Sequence, residues 1–296
     1  MKTGFIGLGT MGMPMAENLW KADFDLVVYN RDPEKTVAFR NRERAAAASS
    51  IEQVVEWSDT ICTIVTDDRA MKEIVLGEGG IAASCNKHPR ARTLIDCSTI
   101  SPETTLLLAK ELDGAGVDML DAPVTGSLPQ AVEGTLTFIV GGKEETCRKC
   151  TPLFQAMGQK TIYMGAQGSG TSAKLANNML AAITLAGLAE SIALVAGSGG
   201  SPERFLEAVA GGGARSGMAE IKGPKIVNRD FSPQFMMKLM HKDLKLAARL
   251  AESVSLPAPV LNMAKEMFAA ACQSGWGDED MCAIVRNYER WIGKGN

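Results

Sequence analysis

The sequence predicts an α/β first half built on a mainly parallel sheet, followed by an all-α second half that opens with a long helix. Three observations predict it. Strand and helix signals alternate from Thr3 to Tyr163, and such alternation implies a parallel sheet covered on both faces. A glycine cluster, Gly165-Ala166-Gln167-Gly168-Ser169-Gly170, ends the alternation, and beyond it the strand signals vanish. The predicted domains are therefore 1–164 and 165–296.

Within the first half, strands are expected at Thr3–Ile6, Leu26–Tyr29, Thr60–Val65, Thr93–Asp96, Met119–Ala122, Thr135–Val140 and Thr161–Tyr163. Helical segments are expected at Met13–Ala22, Glu34–Arg40, Ile51–Glu56, Ala70–Val75, Pro102–Ala115 and Glu144–Met157. In the second half, Thr171–Gly197 reads as one long helix, with others over Ser201–Val209, Phe235–Val254 and Pro259–Ser274. That helical set is too extended for a comfortable core of its own, given how poorly small domains bury surface. The long helix is therefore expected to pack against a second copy, in a homodimer or homotetramer.

Composition narrows the function. The 296 residues are 46% hydrophobic and 22% charged, as in globular proteins. A net charge of −3, with no basic block beyond Lys87-His88-Pro89-Arg90-Ala91-Arg92, argues against a nucleic-acid partner. Met1 leads directly into strand residues without a signal-peptide pattern. No uninterrupted apolar run reaches the roughly 18 residues of a membrane span. Met179–Val195 comes nearest but contains Glu190, so a buried helix of a non-membrane protein is expected. Seven cysteines, an odd number, argue against a disulfide scaffold and for a reducing cytoplasm. Cys147 and Cys150 form a lone C-x-x-C, read as two positions on neighbouring faces of an ordinary helix; no metal site is expected.

Gly7-Leu8-Gly9-Thr10-Met11-Gly12 fits G-x-G-x-x-G, and it lies directly after an apolar strand and before a helix. In that context Gly7 serves the tight turn, Gly9 the approach of backbone to a pyrophosphate, and Gly12 close helix–strand packing. The first half is therefore expected to be a Rossmann-type NAD(P)-binding domain, and the chain an oxidoreductase, against the alternative of a glycine turn that binds nothing. At the end of the second strand, where NAD sites carry Asp or Glu, stand Asn30 and Arg31. A guanidinium there suits a 2′-phosphate, and Lys35 adds charge, so NADP is favoured over NAD.

Of the two histidines, His88 lies in a charged loop and His241 in a Met-rich helix, so a His–Asp catalytic pair has little support. Lys174 falls in the second turn of the long helix among small and apolar neighbours, with Asn178 one turn on along the same face. A desolvated lysine can donate the proton that carbonyl reduction needs. The same residue also reads as a lysine snorkelling past a packed helix, and these residues alone do not choose between the two.

Taken together, the glycine loop, Asp121-Ala122-Pro123-Val124-Thr125-Gly126-Ser127, the Lys174/Asn178 segment and Lys242-Asp243-Leu244 occur in an order and spacing that resembles the β-hydroxyacid dehydrogenase family. That family includes 3-hydroxyisobutyrate dehydrogenase, tartronate semialdehyde reductase and glyoxylate/succinic semialdehyde reductase, and the likeness runs over nearly the whole chain. It implies Lys174 as the catalytic acid and base, with Asn178 orienting substrate. It further implies Thr125, Gly126 and Ser127 on the substrate carboxylate, and Phe235 and Asp243 closing the pocket. Val65, Thr66, Ser98, Thr99 and Lys242 would contact the cofactor.

Two departures stand out: Thr125 replaces the family's usual Ser, and Ser127 its usual Gly. With Pro129 and Gln130 they predict a narrower and stiffer loop, and Gly126-Ser127 together with Asn30-Arg31 resembles the NADP-dependent semialdehyde reductases more than the NAD-dependent branch. The expected activity is interconversion of a small carboxylate-bearing aldehyde and its hydroxy acid. An NADPH-dependent imine reductase is an alternative, although such relatives tend not to keep the lysine. A non-catalytic dinucleotide-binding module is another, and it predicts a lost lysine. A 6-phosphogluconate dehydrogenase would need a much larger helical half.

Overall fold

The computed structural model describes residues 1–88 and 90–293 and divides into two compact units, Met1–Lys174 and Leu175 onward. Pro89 of the basic patch lies outside the described residues.

In chain order the first unit comprises β1 (Lys2–Ile6), α1 (Gly12–Lys21), β2 (Asp25–Tyr29), β3 (Ala45–Ala47), α2 (Ile51–Trp57), β4 (Thr60–Thr63), α3 (Asp68–Leu76) and α4 (Ile81–Lys87). It continues with β5 (Thr93–Asp96), α5 (Pro102–Gly114), β6 (Asp118–Asp121), β7 (Val124–Thr125), α6 (Leu128–Glu133), β8 (Leu136–Gly142), α7 (Glu144–Lys149), α8 (Thr151–Met157) and β9 (Gly158–Gly165). The strands form one sheet in the order β3-β2-β1-β4-β5-β6-β8-β7, with β9 on β8. Pairing is parallel from β3 through β6 and antiparallel from β6 to β8 and from β7 to β8.

The central strands β1, β2, β4, β5 and β6 are buried over nearly their whole length because both faces of the sheet are covered there. Successive side chains alternate between two cores: Phe5, Leu26, Val28, Cys62 and Ile95 enter one, and Ile6, Val27, Ile61 and Leu94 the other. Burial of each such large side chain is worth about 1.5–3 kcal/mol. The strand order reverses at β1, with β2 on one side and β4 on the other. In such sheets the ligand crevice opens outside the carboxyl ends of the strands at that point.

Some elements escape the pattern. α4 follows Gly79-Gly80 and is too short for a helical period to show. α6 contains Pro129 in a glycine- and serine-flanked stretch that reads as loop, yet proline in a first turn removes an N–H that has no intrahelical partner anyway. The segment expected as a single helix over Glu144–Met157 is broken at Cys150, with Pro152 opening the second piece. The C-x-x-C therefore spans a helix junction rather than one helix. Both thiols are unpaired and buried, and burial pushes Cys150 up to about 12, away from thiolate chemistry.

The second unit contains most of α9 (Ser169–Gly197), whose first turns belong to the first unit, then α10 (Pro202–Ala210), α11 (Gly217–Val227), α12 (Met237–Ser253), α13 (Pro259–Ala271) and α14 (Val285–Trp291). Contrary to expectation it has its own core, in which Leu185, Ala189 and Ile192 meet Met240, Leu244, Phe268, Ile284 and Val285. α11, hidden in sequence by Gly223 and Pro224, and the apolar Met281–Ile284 turn contribute to that core.

A second correction concerns α9. Its most apolar window has mean hydropathy 2.0, long and apolar enough to cross a membrane by length and composition, and 39% of that window is buried. One side serves the core through Leu175, Ala182, Leu185 and Ala189, while Leu180 and Leu194 are exposed.

Candidate active site

The site is built first from the glycine loop. Gly7 has φ +101°, and a Cβ there would lie 2.1 Å from the Ile64 carbonyl oxygen. A Cβ at Gly12 would lie 1.9 Å from the Gly7 carbonyl oxygen, so no side chain fits between loop and helix. A Cβ at Gly9, by contrast, would meet nothing within 4 Å, which leaves open space over the start of α1. Two closed glycines and one open one form a cradle that fits a dinucleotide pyrophosphate at a helix N-terminus. Thr10 is exposed and Met11 half-buried at its rim. Leu8 instead turns its side chain into the core, and its N–H donates to Asn30 Oδ1 at 2.8 Å. Asn30 Nδ2 donates to the Asp32 carbonyl at 2.9 Å, so Asn30 ties the end of β2 to the loop. Asp32 accepts from the Glu34 N–H and caps the 3-10 turn Pro33–Phe39, while Arg31 and Lys35 are exposed.

The carboxyl ends of β4, β5 and β6 are joined by buried polar groups. Asp96 Oδ1 accepts from Thr63 Oγ1 at 2.9 Å and from the Ser98 N–H at 3.0 Å. Burial pushes its carboxyl up to about 6, against those hydrogen bonds. Ser98 Oγ accepts from the Val65 N–H at 2.9 Å, so this hydroxyl faces into the protein and joins the β4 and β5 ends. Beside them Thr99 is half-buried and Thr66 exposed.

Asp121, at the end of β6, accepts three hydrogen bonds from the segment that starts α9. Gln167 Nε2 and the Gly168 N–H reach Oδ1 at 2.9 and 2.8 Å, and the Thr171 N–H reaches Oδ2 at 2.7 Å. Burial raises its pKa, opposed by the two backbone donors. Lys174 follows one turn later and is only 8% exposed, consistent with the desolvation its neighbours suggest.

The Thr125–Ser127 loop carries the stiffening expected of it. Thr125 ends β7 opposite Thr137, Gly126 has φ +121°, and Ser127 donates both its N–H and its Oγ–H to Gln130 Oε1 at 2.9 Å.

In the second unit, Asn178 Nδ2 donates to Asp243 Oδ2 at 2.7 Å, and Lys242 Nζ lies 3.0 Å from Asp243 Oδ1. Three of the expected site residues are thus one connected group. Phe235, half-buried, is held by its backbone: its N–H donates to Asp280 Oδ2 at 3.1 Å and its carbonyl accepts from Met281. Asp280 also pairs with Lys222 at 2.9 Å, both fully buried.

The histidines lie elsewhere. His88 Nε2 is 3.6 Å from Glu52, and His241 lines an open groove with Lys245, Arg249, Glu252, Lys265 and Glu266. Sequence reasoning missed Asp96, Gln167, Lys222 and Asp280, and it quoted Asp121 without a role. Gln130 was named for the loop's stiffness but not for its contact with Ser127, although its spacing of three from Ser127 is a local signal.

Comparison with known proteins identifies the family. Residues 2–165 match the model of the NAD-binding domain of 6-phosphogluconate dehydrogenase, and residues 168–288 that of the NAD-binding domain of NADP-dependent 3-hydroxyisobutyrate dehydrogenase. The 2-hydroxy-3-oxopropionate reductase of Escherichia coli is 35% identical, over 98% of this chain and 97% of its own. A chloroplastic glyoxylate/succinic semialdehyde reductase of Arabidopsis thaliana is 32% identical, over 95% of this chain and 78% of its own. The crystal structure of Mycobacterium tuberculosis 3-hydroxyisobutyrate dehydrogenase with L-serine superposes at TM-score 0.84 and 27% identity, over 97% of this chain and 98% of that one. The chain therefore belongs to the β-hydroxyacid dehydrogenase family and is an NAD(P)-dependent oxidoreductase acting on CH–OH groups.

Proposed function

We propose that the protein is an NADP(H)-dependent reductase of small carboxylate-bearing aldehydes, semialdehydes or glyoxylate, that also oxidises the corresponding hydroxy acids. The observation that carries this is Lys174, buried one turn beyond a clamped helix start, in the same unit as an intact dinucleotide cradle. When bound, the nicotinamide supplies hydride to the carbonyl carbon. Lys174 Nζ donates a proton to the developing alkoxide and takes it back in the reverse direction. Thr125 Oγ1 and the Gly126 backbone hold the substrate carboxylate. The Ser127 N–H is already engaged by Gln130, so Ser127 acts by fixing the loop. Asn178, anchored by Asp243, orients the substrate, and Lys242 reaches the cofactor.

The preference for NADP rests on the β2 end. The strand-end residue Asn30 is neutral, and Asp32, two residues on, caps a turn through Oδ1, whereas Arg31 presents an exposed guanidinium. The test is oxidation of NADPH and NADH with tartronate, succinic and methylmalonate semialdehydes and glyoxylate. NADPH is expected to be preferred, and Arg31→Ala to remove at least about tenfold of that preference, since charge-assisted contacts are worth about 1.5–3 kcal/mol. Equal use of NADH by the unaltered protein would overturn the cofactor assignment. Turnover of imines but of no aldehyde would replace the substrate assignment.

We also infer a homodimer or homotetramer. Its support is the apolar outer face of α9, where Leu180 is 65% and Leu194 72% exposed. Sedimentation should show at least a dimer at micromolar concentration; a monomer there counts against it.

A further inference from the structure

We propose that Asp121 is a positioning residue for Lys174, acting through the first turn of α9 to set where the lysine amine stands. The inference rests on the reading of Lys174 as the proton donor and adds a residue to which that reading gives no role.

The joint is built from two sides. From the sheet, the Asp121 carboxylate takes the Gly168 and Thr171 N–H groups, two donors that a helix start leaves without intrahelical partners, together with the Gln167 amide. From the helix, Gly170 lies against sheet backbone: a Cβ there would sit 2.4 Å from the Ile139 carbonyl oxygen, 2.5 Å from that of Asp121 and 2.7 Å from the Gly141 nitrogen. Gly141 answers it, since a Cβ at that position would lie 2.7 Å from Asp121 Oδ1 and 2.8 Å from the Gly170 nitrogen. At Gly170 the contact between helix start and strands is therefore backbone to backbone. Thr171, held at 2.7 Å, stands three residues before Lys174, on the same face one turn away. A further bond, Thr105 Oγ1 to Thr171 Oγ1 at 3.2 Å, ties the same turn to α5.

A helix start held by a buried carboxylate has little freedom to slide or tilt. A displacement of about 1 Å at a group that must meet a reacting atom costs on the order of 10²-fold in rate. Asp121→Asn replaces one acceptor oxygen by a donor that faces donors, so at least one of the backbone bonds is lost. Gly170→Ala forces the helix start off the strands from the opposite side. Gln167→Ala removes one bond of three and is the mild form.

The experiment measures kcat per dinucleotide bound in the full-length protein, for these three variants and for each combined with Lys174→Ala. Asp121→Asn and Gly170→Ala are expected to lower kcat by roughly 10–100-fold with dinucleotide affinity within about twofold, and Gln167→Ala by less. In the Lys174→Ala background the same substitutions are expected to change the residual rate by less than about twofold, because residues acting as one unit are non-additive. Losses that persist in full in that background would assign the joint a purely structural role and overturn the inference. So would an unchanged kcat in Asp121→Asn and Gly170→Ala when Lys174→Ala is inactive. Full activity in Lys174→Ala itself would overturn the proposed function, and this inference with it.

Discussion

Lys174→Ala is expected to lower kcat for aldehyde reduction by about 10²–10⁴-fold, the range by which positioned general acids accelerate proton transfer. Dinucleotide affinity should change little, because the cradle is made by Gly7, Gly9 and Gly12. The size follows from the chemistry. Hydride addition leaves charge on the carbonyl oxygen, and in a site as closed as that of a side chain only 8% exposed, water is a poor substitute donor. Lys174→Arg separates charge from proton transfer. It keeps the cation, but a guanidinium does not give up its proton in proteins, so kcat should stay low while substrate KM recovers. Steady-state rates at saturating NADPH check both variants. If Lys174→Arg restored kcat, the lysine would serve as a fixed charge rather than an acid.

How far this site was legible in sequence depends on range. The glycine loop is legible as a pattern because its signals are local: a strand, a fixed spacing of glycines and a helix start lie within a few residues of one another. Lys174, by contrast, is singled out by the family resemblance, its own neighbours leaving two readings open. The α/β and all-α division was readable because strand–helix alternation stops at Gly165. What could not be read is pairing across the chain. Asp121 meets Gly168 and Thr171 from 47 and 50 residues away, and Lys222 meets Asp280 from 58. No spacing rule announces such partners. α11 was hidden differently: Gly223 and Pro224 are helix breakers by intrinsic propensity, and tertiary packing overrides that preference. Gly223 packs against Leu206, whose methyl would lie 2.8 Å from a Cβ there and could move aside.

The buried pair that sequence did not disclose carries the second large expected effect. Asp280→Ala should destabilise the protein by about 3–5 kcal/mol, the cost of leaving a buried charge without its partner. Lys222 is 3% exposed and would be left without the Asp280 carboxylate, with the Gln234 amide oxygen at 3.2 Å as its remaining partner. The N–H groups of Gln234, Phe235 and Cys282 would lose their acceptor as well. Lys222→Met/Asp280→Ala should recover part of the loss, because the stranded charge is gone, but not all, because those three N–H groups remain unmet.

The same pair has a pH signature. Burial alone would raise the Asp280 carboxyl, but the Lys222 ammonium and the backbone donors outweigh it and hold the folded pKa below the usual carboxylate value. A depressed folded pKa gives stability that is present above the unfolded value of about 3.9 and lost as pH falls through the folded one. Chemical denaturation should therefore show the gap between wild type and Asp280→Asn at full size near neutrality and shrinking below about pH 4. A gap that stayed constant to low pH would mean that the carboxylate's charge contributes nothing. In that case its hydrogen-bond geometry alone would hold the Phe235 segment in place.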